Sequence, residues 1–155
     1  MKKLGVFLVL TAFVCVIPAH SAVRGTKAKY MGGTIAEVPD KTDGELDLSG
    51  EDMAVFTAKG GQKINIPYKS IESLEYGQKA GRRVGVALAV NPLFLFSKKR
   101  KHFLSIGYND EQGHRQGVVF ELSKGIVRST LSTFETRSGK QIEYESEEAR
   151  KHAGN

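Results

Sequence analysis

Imidazole serves both acid–base catalysis and metal binding near neutral pH, so the four histidines are weighed first. His102 and His114 flank a polar stretch, 109–113, that reads as a hairpin turn. Facing each other across it, with Asp110 or Glu111 alongside, they would make a weak metal or acid–base pair. Against this, no H-E-x-x-H or other dense ligand spacing is present, and two exposed strand-end histidines are the simpler reading. His20 and His152 lie near the two termini. No G-x-S-x-G elbow occurs, and Ser138-Gly139-Lys140 lacks the upstream glycine of a phosphate-binding loop. Gly32-Gly33 and Gly60-Gly61 read as bulges and turns, and Glu51-Asp52 as solvated loop charge. The expectation is a non-enzymatic protein with no catalytic residue, metal or cofactor.

The distribution of charge is more informative. From Tyr76 to Asn109 there is no acidic residue, while seven basic ones occur: Lys79, Arg82, Arg83, Lys98, Lys99, Arg100 and Lys101. Between the two basic clusters, residues 84–96 are uncharged and mostly apolar, interrupted by Asn91-Pro92. Gly77, Gly81, Gly85 and Ala89 recur every fourth residue, the small-residue spacing that lets elements approach closely.

Three readings of this segment stay open. In the first, Leu93, Phe94, Leu95 and Phe96 enter a membrane interface while the flanking cations meet anionic headgroups. Each cation contributes about 1 kcal/mol near such a surface, and each buried apolar side chain about 1.5–3 kcal/mol. The run is shorter than the roughly 20 residues needed to span a bilayer. In the second, 84–96 is covered by a partner protein or a second copy of the chain. In the third, it packs on the chain's own sheet, and the cations are solvated ends. Nucleic acid is not expected as a partner, because no surface aromatics are interleaved to stack bases.

The elements that must position this segment are strands. Tyr30 to Val38 suggests a first strand ending near Pro39, and Asp43-Gly44 a turn. Glu45-Leu46-Asp47-Leu48 and Lys63-Ile64-Asn65-Ile66 alternate polar and apolar residues. Met53-Ala54-Val55-Phe56 lies between them, and Gly60-Gly61 supplies a hairpin turn. Ile71, Leu74 and Tyr76 mark a fifth strand, His102 to Tyr108 a sixth and Val118 to Leu122 a seventh. A helix is expected over 123–138, with Ser123 as N-cap, Ile126, Val127, Leu131 and Phe134 on one face, and Gly139 after its end. Gln141 to Tyr144 allows a last extended piece, and 146–155 reads as a frayed polar tail. Strands followed by one amphipathic helix predict a mainly β (α+β) domain.

Seven strands closed by a helix resemble the pleckstrin-homology (PH) and GRAM-like superfold. The step Ile66-Pro67-Tyr68-Lys69-Ser70-Ile71-Glu72-Ser73-Leu74 is similar to a strand-to-strand step of that group, as are 102–106 and 119–122 followed by the helix. More narrowly, Leu74-Glu75-Tyr76-Gly77, Lys98-Lys99-Arg100-Lys101-His102 and Arg137-Ser138-Gly139-Lys140 resemble small exported bacterial proteins of unknown function. The resemblance spans 29–145 and implies a seven-stranded barrel or sandwich capped by the C-terminal helix. PH-like folds bind phosphoinositides, peptides or proteins, so the likeness implies a binding module without naming its ligand. The basic cluster of lipid-binding members usually sits in the first hairpin loop. Here 39–44 carries Asp40 and Asp43 against Lys41, which speaks against phosphoinositide recognition by that route.

The N-terminus reads as an export signal. Lys2 and Lys3 precede a 14-residue apolar run, 4–17, then Pro18 and the small-residue stretch Ala19-His20-Ser21-Ala22. As a helix the run measures about 21 Å against a hydrocarbon core of about 30 Å, which disfavours a retained anchor. Val14 before Cys15 disfavours lipidation, since a small residue is wanted there. Cleavage after Ser21 or Ala22 would send the protein to a bacterial periplasm or cell exterior. Removing 22 of the 155 residues leaves 133, enough for one core. Cys15, the only cysteine, would leave with the signal, so stability must come from packing. The mature chain would carry 21 basic and 17 acidic residues, with 23–28 as a lead-in to the domain.

Overall fold

The computed structural model describes residues 25–78 and 101–154. The expected export signal and, of the segment singled out above, Lys79, Arg82, Arg83, Leu93, Phe94, Leu95, Phe96, Lys98, Lys99 and Arg100 lie outside the described residues.

The described residues are mainly β and form one eight-stranded sheet. Its strands are β1 (Thr26–Gly33), β2 (Thr42–Asp47), β3 (Met53–Ala58), β4 (Lys63–Pro67), β5 (Ile71–Gly77), β6 (His102–Asn109), β7 (Arg115–Leu122) and β8 (Ile142–Tyr144). Their order in space is β4-β3-β2-β1-β7-β6-β5-β8. All neighbours are antiparallel except β5 and β8, which run parallel. Two helices follow β7 in sequence: α1 (Val127–Ser138) and α2 (Glu147–Ala153).

The core forms where period-two side chains converge on one face. Tyr30, Phe56 and Phe120 meet there with ring centroids 5.0–6.3 Å apart, joining β1, β3 and β7. Such aromatic pairs contribute about 0.5–1.5 kcal/mol each beyond their burial. Helix α1 adds Val127, Leu131 and Phe134 to the same cluster, and Phe134 packs edge-on against Tyr68.

Several expectations are corrected. The first strand begins at Thr26, inside the supposed lead-in, and ends at Gly33 with a bulge after Tyr30. Val38 is a buried loop residue instead. Asp43-Gly44 is no turn but lies within β2. A Cβ on Gly44 would stand 2.5 Å from Phe56 Cζ, so glycine is required there by packing. The reversal falls earlier, where Lys41 has φ +62° and Thr42 Oγ1 donates to Pro39 O at 2.6 Å. By contrast Gly61 does turn the β3–β4 hairpin, at φ +90°.

The α-helix starts at Val127 rather than at 123, after a 3-10 turn over Lys124–Ile126. Ser123 makes no side-chain cap; its hydroxyl donates to Lys27 O at 3.4 Å. Gly139 closes the helix in the left-handed region, with φ 68°. The C-terminal tail is not frayed up to residue 153. Ser146 Oγ accepts from the Ala149 amide at 3.1 Å and caps α2. Ala149 and Ala153, one turn apart, bury that helix's small apolar face. Acidic Glu147 and Glu148 open it, and Arg150, Lys151 and His152 close it, both favourable to the helix dipole.

Candidate functional site

The segment singled out by its charge is rooted on two adjacent strands. Gly77, at the end of β5, pairs with Phe103, near the start of β6. The end of β5 and the start of β6 therefore lie side by side at one end of the sheet.

Of the seven cations expected to line a binding surface, Lys101 is described. Its ammonium lies 2.8 Å from Glu121 Oε2, with both side chains half-buried. Glu121 follows Lys101 by twenty residues and reaches it through the β6–β7 pairing, which sets Phe103 against Glu121. Part of the charge expected to face a ligand is thus neutralised within the protein.

The two histidines do not meet across the hairpin, so the weaker metal or acid–base alternative weighed above is not formed. His102 pairs with Leu122 at the far end of the β6–β7 ladder, whereas His114 sits at the turn. The register is antiparallel, so the hairpin's length separates them. At the turn, Asp110 is the organiser. Its Oδ1 accepts from the amides of Gln112 and His114, and its Oδ2 from the Gln116 side chain. These hydrogen bonds, that of Gln116 foremost, hold its carboxyl below the usual carboxylate range. His114 Nδ1 stands 3.5 Å from the same carboxylate, largely exposed.

His102 belongs to a different corner. Its Nδ1 lies 2.5 Å from the Tyr76 hydroxyl, and the two ring planes are 17° apart. Burial lowers the His102 pKa, and the positive charges of His152 and Lys124 lower it further. Burial likewise pushes the Tyr76 phenol up to about 12. A protonated phenol donating to an unprotonated Nδ1 satisfies both groups and leaves Nε2 carrying the imidazole proton. Tyr144 packs edge-on against Tyr76, and the Arg150 guanidinium lies over Tyr144 at 5.9 Å. This corner ties α2 and β8 to the sheet.

Among the described residues no group of three or more His, Cys, Asp or Glu side chains gathers as a metal site. Gly139 of Ser138-Gly139-Lys140 is a helix terminator rather than part of a phosphate loop. A Cβ on Gly33 would fall 2.1 Å from Gly117 O, so that glycine serves close strand approach. No helix among the described residues is long and apolar enough to cross a membrane.

One feature escaped the sequence reading. Met31, Phe103, Ser105 and Val119 are buried, yet lie outside the core cluster, on the sheet's other face. The signal was present in the near-continuous apolar and small run from Phe103 to Tyr108, which fails to alternate as Lys63 to Ile66 does. Compared with known protein families and with curated proteins, the chain matches none.

Proposed function

We propose that the chain is an exported, non-enzymatic PH-like binding module that docks on an anionic membrane surface through residues 79–101. The observation that carries this is the charge pattern: seven cations and no carboxylate between Tyr76 and Asn109, around an apolar stretch, rooted at one end of the sheet. The PH-like reading draws support from two antiparallel meanders, β1–β4 and β5–β7, that share an edge between β1 and β7, with α1 directly after β7. The Lys101–Glu121 pair sharpens the site. In this reading headgroup contact falls to Lys79, Arg82, Arg83, Lys98, Lys99 and Arg100, and insertion to Leu93, Phe94, Leu95 and Phe96.

Sedimentation with vesicles tests the reading. The chain lacking residues 1–22 should pellet with phosphatidylglycerol-containing vesicles and stay in solution with phosphatidylcholine alone. Binding should weaken as salt shortens the reach of charge, and should fail when Lys98, Lys99 and Arg100 are changed to Gln. Equal recovery in every supernatant would discard membrane docking.

A further inference from the structure

The sheet ends in two edge strands, β4 and β8, which differ in what their outward backbone groups meet. On β8 the Ile142 amide donates to Glu135 Oε1 of α1 at 2.9 Å, so that edge is occupied from within the chain. On β4 the hydrogen-bond register decides which groups point outward. At the β3–β4 turn the Ala58 amide donates to Gln62 O at 2.8 Å, and at the other end the Tyr68 amide donates to Asp52 O at 2.9 Å. Bonded and non-bonded pairs alternate along an antiparallel ladder. The bonded pairs between those ends are therefore Phe56 with Ile64 and Ala54 with Ile66. Lys63 and Asn65 fall on the alternate positions, so their N–H and C=O groups point away from β3, beyond the edge. Pro67 follows the same pattern but offers a carbonyl alone. No described residue hydrogen-bonds to these outward groups.

We propose that the β4 edge takes up an extended acidic segment of another polypeptide as an added strand. In such pairing the backbone supplies affinity and the neighbouring side chains choose the partner. The outward groups of Lys63 and Asn65 supply the first. Charge supplies the second. From Met53 to Ile71 there is no acidic residue, while Lys59, Lys63 and Lys69 occur, all three exposed. Lys63 lies on the strand, Lys59 in the turn before it and Lys69 in the 3-10 turn after it. Along β4 the side chains of Lys63 and Asn65 alternate with buried Ile64 and Ile66, so they stand on the outer face, beside the side chains of an added strand. A carboxylate on that strand would meet the Lys63 ammonium, whereas a second copy of β4 would bring its own lysines to the same edge and be repelled. A lysine on an edge strand keeps a sheet from pairing with itself, and here the same charge selects an acidic partner. Pro67, which has no N–H to donate, limits the pairing at one end. Strands β3, β2, β1 and β7 separate this edge from β6, so it stands or falls apart from membrane docking by 79–101.

Amide hydrogen exchange of the whole chain, read by NMR, tests it with a synthetic peptide alternating Glu and Thr. In the free chain the Lys63 and Asn65 amides should exchange rapidly, while those of Ile64 and Ile66 are protected. Added peptide should slow Lys63 and Asn65. The same peptide N-methylated on alternate residues, in either phase, keeps its charge but cannot pair and should not bind. Lys63→Glu should lose the Glu–Thr peptide and bind a Lys–Thr peptide instead. Asn65→Pro removes one outward N–H without touching the β3 ladder, and should weaken binding by at least about fivefold. Continued protection of Ile64 and Ile66 establishes that each variant retains β4, and two independent positions guard against one that fails to fold. Equal binding of the N-methylated peptides would overturn the proposal by leaving charge attraction alone. Equal binding of the Lys–Thr peptide by the parent chain would overturn the acidic partner. Lys63 and Asn65 amides already slow in the free chain would also overturn it, giving the edge to a second copy if the chain sediments as a dimer and to another segment of the same chain if it does not.

Discussion

The two halves of the sheet are built on different rules. In β2, β3 and β4, Leu46, Ala54, Phe56, Ala58, Ile64 and Ile66 are buried, while Glu45, Lys63 and Asn65 on the other face are exposed. In β6 and β7 every residue from Phe103 to Tyr108 and from Gly117 to Phe120 is buried. A strand with one solvated face alternates, and a strand covered on both sides does not. The first half needs only the core. The second half needs something on its back, and that requirement attaches to the hairpin whose root carries the basic and apolar segment.

The same substitution in each half is the strongest way to break this contrast. Val119→Lys places an unpaired ammonium on the covered face and should destabilise the protein by roughly 3–5 kcal/mol. Val55→Lys occupies the corresponding face of β3, half-buried and opposite Asp47, and should change stability by less than about 1 kcal/mol. Urea unfolding of both variants at neutral pH measures the difference. Equal effects would mean that the back of β7 is as solvated as that of β3.

A second contrast concerns two arginines. Arg137 donates to the carbonyls of Leu48, at 2.6 Å, and Gly50, and lies over the Tyr68 ring at 5.3 Å. It thereby pins α1 to the loop after β2. Arg137→Ala leaves the partly buried Leu48 carbonyl without this donor and should cost about 1–3 kcal/mol. Arg115→Ala breaks a pair with Glu72 in which both side chains are well exposed, and should cost at most about 1 kcal/mol. Thermal unfolding separates the two variants, and an inverted ranking would remove Arg137 as the helix latch.

Much of the fold was legible because it is local. The alternation of Lys63 to Ile66, the glycine hairpin at Gly60-Gly61 and the helix ending at Gly139 each follow from a few neighbouring residues. What escaped depends on residues distant in sequence. Gly44 reads as a turn until Phe56 is seen to occupy its Cβ space. Ala149 and Ala153 form too small an apolar face to announce a helix until the core accepts them. The run from Phe103 to Tyr108 was recognisable as a strand, but a run of apolar residues does not say what lies behind it. The candidate site divides likewise. Its charge is plain in the sequence, while the Glu121 partner of Lys101 and the separation of His102 from His114 arise only from the β6–β7 register.

A helix-end test gives a smaller effect on the core side. Gly139→Ala keeps every contact but forces a Cβ into the left-handed region, and should lower stability by about 1 kcal/mol. Chemical denaturation resolves that shift, and an unchanged midpoint would show that the α1 terminus tolerates side chains.

The smallest effect is a pH dependence seated at His102, the one described histidine held in the covered half of the sheet. Its folded pKa lies below the ordinary value of 6.5, chiefly through burial. The folded state therefore holds fewer protons than the unfolded state between that lowered pKa and about 6.5. Stability from this group is fully present above pH 6.5 and declines as pH falls toward the folded pKa. His102→Gln can still accept a hydrogen bond from Tyr76 but cannot titrate. The variant should lose less of its melting temperature between pH 7.5 and pH 5 than the parent chain does. Parallel melting curves against pH would show that the imidazole is as readily protonated in the folded corner as in water. They would also mean that Tyr76 does not depend on an unprotonated Nδ1 as its acceptor.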